Sequence, residues 1–126
     1  LALLLVISSV SFAGDKPELY FIEPQDGAVI EGEVTVKFGL NNYGVAPAGV
    51  TMDNTGHHHL IIDSELPALD RPIPSDDNNV HFGGGQTQTT IKLKPGKHTL
   101  QLLLGNASHI PHKPVIKSEK ITITVK

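Results

Sequence analysis

The chain has 126 residues, with ten Lys and Arg, thirteen Asp and Glu, seven His and no Cys. This length suits a single domain, and a formal net charge of −3 argues against a nucleic-acid partner, which favours a basic face. The absence of Cys from the sequence excludes a disulfide framework, a thiol nucleophile and Cys-ligated zinc. Histidine is the unusual component, because seven imidazoles accompany only two Tyr and four Phe.

Residues 1–13 form an apolar run with three serines and no charge. Such a run is too short to span a bilayer, which needs about 20 residues, and it is typical of the apolar region of a secretory signal. Ser11 and Ala13 supply the small residues expected before a cleavage site. We interpret residues 1–13 as the remnant of a signal peptide cleaved after Ala13. Residues 14–126 are then a single domain, periplasmic or secreted, with no membrane span after cleavage.

Beyond this run the hydrophobic residues follow a period of two, which is typical of half-buried strands. Alternation predicts strands over residues 34–40, 89–93, 100–104 and 121–125. Continuous apolar runs at residues 19–22 and 60–62 predict central strands. Turn signals at Asp26-Gly27 and Pro95-Gly96 separate these runs. The sequence therefore predicts an all-β fold, an immunoglobulin-like Greek-key β-sandwich of about seven strands.

The histidines lie in clusters along the chain. His57, His58 and His59 are consecutive, and on an extended strand the first and third share one face about 6–7 Å apart while the second faces the other way. Two imidazoles on one face can bind one metal ion, and adjoining loops can supply further imidazole ligands. The candidate metal ligands are His57, His59, His81, His109 and His112. Imidazole ligands without thiols favour Cu(II) or Zn(II).

Two functions remain open on the residues alone. One is an exported, non-catalytic protein that binds copper or zinc through these histidines. The alternative is a cell-envelope module that binds a protein or glycan through the long loops at residues 41–56 and 64–79, with histidines that hold loops in place. Catalysis has little support, because the sequence shows no nucleophile-elbow signature. The glycine run at residues 83–85 also lacks the Lys-Ser/Thr of a phosphate loop.

Five strings occur in order in this chain: GHHHLIID at residues 56–63, PIP at 72–74, HFGGGQT at 81–87, PGKHTLQLLLG at 95–105 and HIPH at 109–112. With these strings the chain resembles the bacterial domain-of-unknown-function family 4399, whose members are small exported proteins. The resemblance implies a periplasmic or secreted domain and supports the sandwich. It implies no catalytic residue and no ligand, so the metal hypothesis depends on the histidines themselves.

Overall fold

A computed structural model describes Leu5 and residues 15–126. The predicted signal segment therefore lies outside the described residues, apart from Leu5. The described residues form nine strands and no helix. The strands are β1 (Glu18–Glu23), β2 (Val29–Ile30), β3 (Val34–Asn41), β4 (Gly44–Val45), β5 (Thr55–Ile62), β6 (Asn79–His81), β7 (Gln88–Ile91), β8 (Gly96–Gly105) and β9 (Ile121–Val125). Within this part of the chain, no helix is long and apolar enough to cross a membrane.

The strands build two sheets. The smaller is antiparallel, in the order β1–β3–β7. The larger has the order β2–β9–β8–β5–β4, with β6 also paired to β5. Its β5–β8, β8–β9 and β5–β6 pairs are antiparallel, whereas β2–β9 and β4–β5 are parallel. The predicted all-β fold is thus confirmed, as two sheets of antiparallel and parallel strands.

Period-two alternation explains the main core. Val34, Val36 and Phe38 of β3 are buried, and they pack in one cluster with the buried leucines of β8 at positions 100, 102 and 104. Leu60 and Ile62 of β5 belong to the same cluster. Burying an aliphatic side chain of this size stabilises the fold by about 1.5–3 kcal/mol, so this cluster holds the two sheets together.

One strand prediction is wrong. The apolar run at residues 19–22 predicts a central strand, but β1 pairs only with β3 and forms the edge of the smaller sheet. Leu19 and Phe21 face the core, whereas the Ile22 side chain is 52% exposed. The run is therefore a half-buried edge strand whose outer face carries one aliphatic residue.

The opposite face of the larger sheet carries a second, smaller apolar cluster. It contains Ile61 of β5, Leu103 of β8 and Ile73, and Leu66 and Val115 pack against it. Leu66 and Ile73 come from the long connection after β5, and Val115 comes from the segment after β8. We call this face the outer face. It is also the face to which His57 and His59 belong, because they precede Ile61 by four and two residues.

Candidate metal centre

Strand β5 places three consecutive imidazoles on two faces of the larger sheet. His57 pairs with Gly105, His58 with Leu104 and His59 with Leu103. The three rings are at most 1% exposed. Because successive strand residues point to opposite faces, His57 and His59 lie on the outer face and His58 lies between the sheets. The three side chains therefore point to the faces that the alternation predicts.

Four imidazoles meet on the outer face. His57 Nε2 lies 2.9 Å from His59 Nε2 and 3.1 Å from His109 Nδ1. The ring centroid of His81 lies 5.0 Å from that of His57, 5.1 Å from that of His59 and 4.6 Å from that of His109. One ring nitrogen from each of these residues lies within 4.8 Å of all the others, so the group could hold a metal ion. We call these four residues the histidine cluster.

Hydrogen bonding alone leaves the histidine cluster poorly satisfied. His57 Nε2 faces two imidazole nitrogens, yet it carries either one proton or one lone pair. His81 Nε2 and the Nδ1 atoms of His57 and His59 are buried without any hydrogen-bond partner. Buried polar atoms are nearly always paired. A cation that accepts several converging lone pairs at once would satisfy the facing nitrogens better than a single shared proton.

Electrostatics keep these rings neutral. Burial, followed by the nearby His109 and His81 imidazoles, lowers the pKa of His57 to about 4. Burial and then the His57 imidazole lower the pKa of His59 to about 3. The pKa of His81 is also lowered, mainly by burial. At pH 7 these three rings therefore have free lone pairs, which is the form that binds metal ions.

Two glycines leave space for the rings. A Cβ atom at Gly105 would lie 2.9 Å from His59 Nε2, and one at Gly83 would lie 2.7 Å from His81 Nε2. Both distances are too short for real contacts, so any larger residue would push an imidazole aside. Within the glycine run at residues 83–85, the absence of a side chain at Gly83 therefore makes room for the His81 ring.

His109 reaches the cluster from a constrained loop. Its φ angle is 65°, and such left-handed conformations are uncommon for residues other than glycine. The Asn106 side-chain oxygen accepts hydrogen bonds from the N–H groups of Ser108 (2.9 Å) and Ile110 (3.0 Å). The His109 carbonyl accepts another from Ile73 N–H (2.8 Å). These bonds hold the backbone in the conformation that directs the imidazole to the cluster.

The structure places His112, the fifth predicted ligand, apart from the other four. Its Nε2 lies 3.1 Å from the carbonyl oxygen of Thr55, and its ring packs edge-on against Tyr43 at 5.2 Å between centroids. The spacing of His109 and His112 in the sequence contains no signal that separates them. The difference comes from the backbone conformation at His109, which the sequence pattern does not encode.

The family described as Domain of unknown function (DUF4399) matches residues 36–126. The chain belongs to this family. The matched region extends from β3 to β9 and includes all seven histidines, so the resemblance inferred from the five strings is confirmed. No curated protein sequence matches this DUF4399 chain.

Among solved structures, the DUF4399 chain is similar to the X-ray structure of the endo-beta-1,4-mannanase from Thermotoga petrophila. The TM-score is 0.53 at 16% identity, over 89% of this chain and 20% of the mannanase chain. This chain thus spans about a fifth of that enzyme's length. At this identity the likeness concerns the fold alone.

Proposed function

We propose that this protein binds Cu(II) or Zn(II) through the histidine cluster, as an exported and non-catalytic carrier, buffer or accessory protein. One observation carries the proposal: four imidazole nitrogens, from three separate segments of the chain, lie within 4.8 Å of one another. Histidine is the commonest protein ligand for metal ions. Burial of ring nitrogens without a bonding partner is unfavourable, so the clustered imidazoles call for a shared partner.

The spacing suits an ion. Metal–nitrogen bonds of about 2.0–2.1 Å give neighbouring ligand atoms separated by about 2.9 Å in a square plane or about 3.3 Å in a tetrahedron. The 2.9 Å and 3.1 Å nitrogen pairs at His57 lie in this range. The longest separation, within 4.8 Å, needs to shorten by about 1 Å or less to reach opposite corners of a square plane.

The donor set favours borderline metals. All four donors are imidazole nitrogens, and the single Met of the chain, Met52, is 63% exposed. Nitrogen donors without sulfur suit Cu(II) and Zn(II) better than Cu(I). His57 and His59 are buried while His81 and His109 are half-buried. The cluster is therefore closed on the sheet side and partly open on the loop side, which supports exchange of the ion with solvent.

Calorimetric titration tests the proposal directly. Protein purified without a histidine-affinity column and stripped with a chelator should take up one equivalent of Zn(II) or Cu(II) with submicromolar affinity. The double substitution His57→Ala with His59→Ala should abolish this uptake. His98→Ala is the matched control, because it removes an imidazole that lies outside the cluster. Absence of uptake by the unaltered protein, or uptake that the double substitution leaves unchanged, would overturn the proposal.

The alternative role of the histidines, holding loops in place, fits two other residues. His98 lies 2.6 Å from the Asp63 carboxylate and 2.6 Å from the Lys94 carbonyl oxygen, and His112 lies against the Thr55 carbonyl. An interaction module with purely structural histidines predicts this pairing for every ring. Since four of the seven rings converge on one another instead, the arrangement favours metal binding.

A further inference from the structure

Residues 46–50, which follow β4, cross the three segments that carry the histidine cluster. We call these residues the strap. Its backbone N–H groups donate to one carbonyl in each segment: Ala46 to Gly56 (2.9 Å), Ala48 to Gly83 (2.8 Å) and Gly49 to Ala107 (2.9 Å). Each acceptor lies one or two residues from a histidine of the cluster. A single short piece of backbone therefore joins all three ligand-bearing segments.

The strap has a defined conformation. Immediately before the strap, Val45 of β4 pairs with Gly56 of β5, which anchors the strap to the larger sheet. It then closes a turn in which the Pro47 carbonyl accepts a hydrogen bond from Val50 N–H (3.2 Å). Gly49 has a φ angle of 85°, as the third position of a type II turn requires. Such a turn fixes the directions of the N–H groups of Ala48 and Gly49.

The four ligands differ in how firmly other contacts hold them. His57 and His59 lie within β5, which pairs with β8 over six successive residues. His81 ends a strand of only three residues, and His109 lies in a loop. The strap bonds to the backbone close to these last two ligands, where the sheet supplies least support. Metal ligands depend on such surrounding hydrogen bonds for their orientation.

We propose that the strap is the positioning element of the metal centre, which holds the segments of His81 and His109 against β5 so that the four imidazoles keep the spacing of one ion. The inference rests on the proposed function for the identity of the ligand. It adds that retention of the ion depends on three backbone hydrogen bonds from residues that make no contact with the ion.

Ala48→Pro tests the strap by detaching it from the segment that carries His81. The second position of a type II turn accommodates proline well, so the turn is retained. Proline has no N–H, and its ring carbon would occupy the space between the nitrogen and the Gly83 carbonyl oxygen, which is 2.8 Å from Ala48 N. The hydrogen bond is therefore lost and the Gly83 carbonyl has to move away from the strap. Ala48→Ser is the matched control, because it changes the half-exposed side chain and keeps the N–H group.

Two readouts separate positioning from general stability. In the metal-free protein, nuclear Overhauser contacts between the rings of His81 and His109, whose centroids lie 4.6 Å apart, should weaken in Ala48→Pro. Contacts between His57 and His59, at 4.7 Å, should persist, because both rings lie on β5. In the metal-loaded protein, transfer of Zn(II) to a chelator should become about fivefold to tenfold faster, as expected for loss of one backbone hydrogen bond. Ala48→Ser should match the unaltered protein in both readouts.

The outcomes distinguish the strap from the metal site. Unchanged ring contacts together with an unchanged transfer rate in Ala48→Pro would overturn the strap proposal. Equal weakening of both ring pairs would also overturn it, because the strap would then stabilise the fold as a whole. Failure of the unaltered protein to take up metal would overturn the proposed function instead. The ring contacts would still decide whether the strap positions His81 and His109.

Discussion

On the core side of β5, His58 packs against Phe38 with 4.9 Å between ring centroids, and both of its nitrogens lack hydrogen-bond partners. On the outer side, His57 and His59 face each other and two further imidazoles. Burial alone lowers the pKa of His58 to about 4. Burial together with neighbouring rings lowers the pKa of His57 to about 4 and that of His59 to about 3.

These three residues are identical, adjacent and equally buried, so burial alone does not explain what a histidine does here. The surroundings decide it. A neutral imidazole packed against a phenyl ring fills space with two unpaired polar atoms, which is unfavourable. Neutral imidazoles that converge have lone pairs directed at a common point, which a cation can use. The predictions below test whether the two faces of β5 differ in this way.

The largest expected effect is on metal affinity, and it should differ between the two faces of β5 when the same substitution is made on each. His59→Leu removes a ligand and should weaken Zn(II) binding by more than about 100-fold, beyond the effect of changes around metal ligands. His58→Leu should leave the affinity within about twofold, because its ring points away from the cluster. Calorimetric titration of both proteins measures this. Equal losses of affinity in the two variants would contradict the division between the faces.

Adjacent glycines provide a second test on the outer face. Gly83→Ala places a Cβ atom against the His81 ring and should weaken metal binding by about 10-fold to 100-fold. Gly84→Ala is its control, since the atoms nearest to its Cβ atom would belong to the flexible side chain of Gln86, at 3.1 Å. Competition with a chromophoric chelator measures both affinities. The expectation fails if the two alanines have the same effect.

Stability of the metal-free protein tests the core face. His58→Leu should raise the free energy of unfolding by about 1 kcal/mol at pH 7, because two buried unpaired nitrogens are removed from a site of similar volume. The gain should grow as pH falls below about 6.5, since the unfolded chain takes up a proton there while native His58 stays neutral to about 4. Urea unfolding at pH 7 and pH 5 checks this. A gain that shrinks on acidification would contradict it.

The smallest effect on stability is expected at His98, where substitution should destabilise the fold, in contrast to substitution of His58. Its two ring nitrogens both face acceptors, the Asp63 carboxylate and the Lys94 carbonyl, so the ring donates twice only when protonated. The hydrogen bond with Asp63 raises the pKa of His98. Its stabilisation is therefore complete below about pH 6.5 and is lost as pH rises through the raised value.

Replacement of His98 by glutamine measures how much this ring contributes to the free energy of unfolding. His98→Gln should lower the free energy of unfolding by about 0.5 kcal/mol at pH 5.5, as is usual for an ion pair near the surface, and by less at pH 8.5. Urea unfolding at the two pH values measures the difference. A larger loss at the higher pH would show that the ring stabilises the fold through its neutral form.

The comparison also shows how far the sequence predicts the site. The alternating direction of side chains along β5 is a local property, so it correctly separates His58 from His57 and His59. Period-two alternation in the segments at residues 34–40, 100–104 and 121–125 predicts the all-β fold. The selection of His109 over His112 depends on a left-handed backbone angle and on the Asn106 hydrogen bonds. The strap joins carbonyls at residues 56, 83 and 107, and no local pattern in the sequence links positions so far apart.

The pairing of β5 with β8 has a consequence for how this protein tolerates insertions and deletions. Each residue of a strand changes face when the register slips by one. A one-residue slip of β5 would keep the composition of the triplet at residues 57–59, yet it would turn two imidazoles toward the core between the sheets and leave one on the outer face. In β5, whether a position is odd or even decides which face its side chain occupies, and the face decides what a histidine at that position contacts.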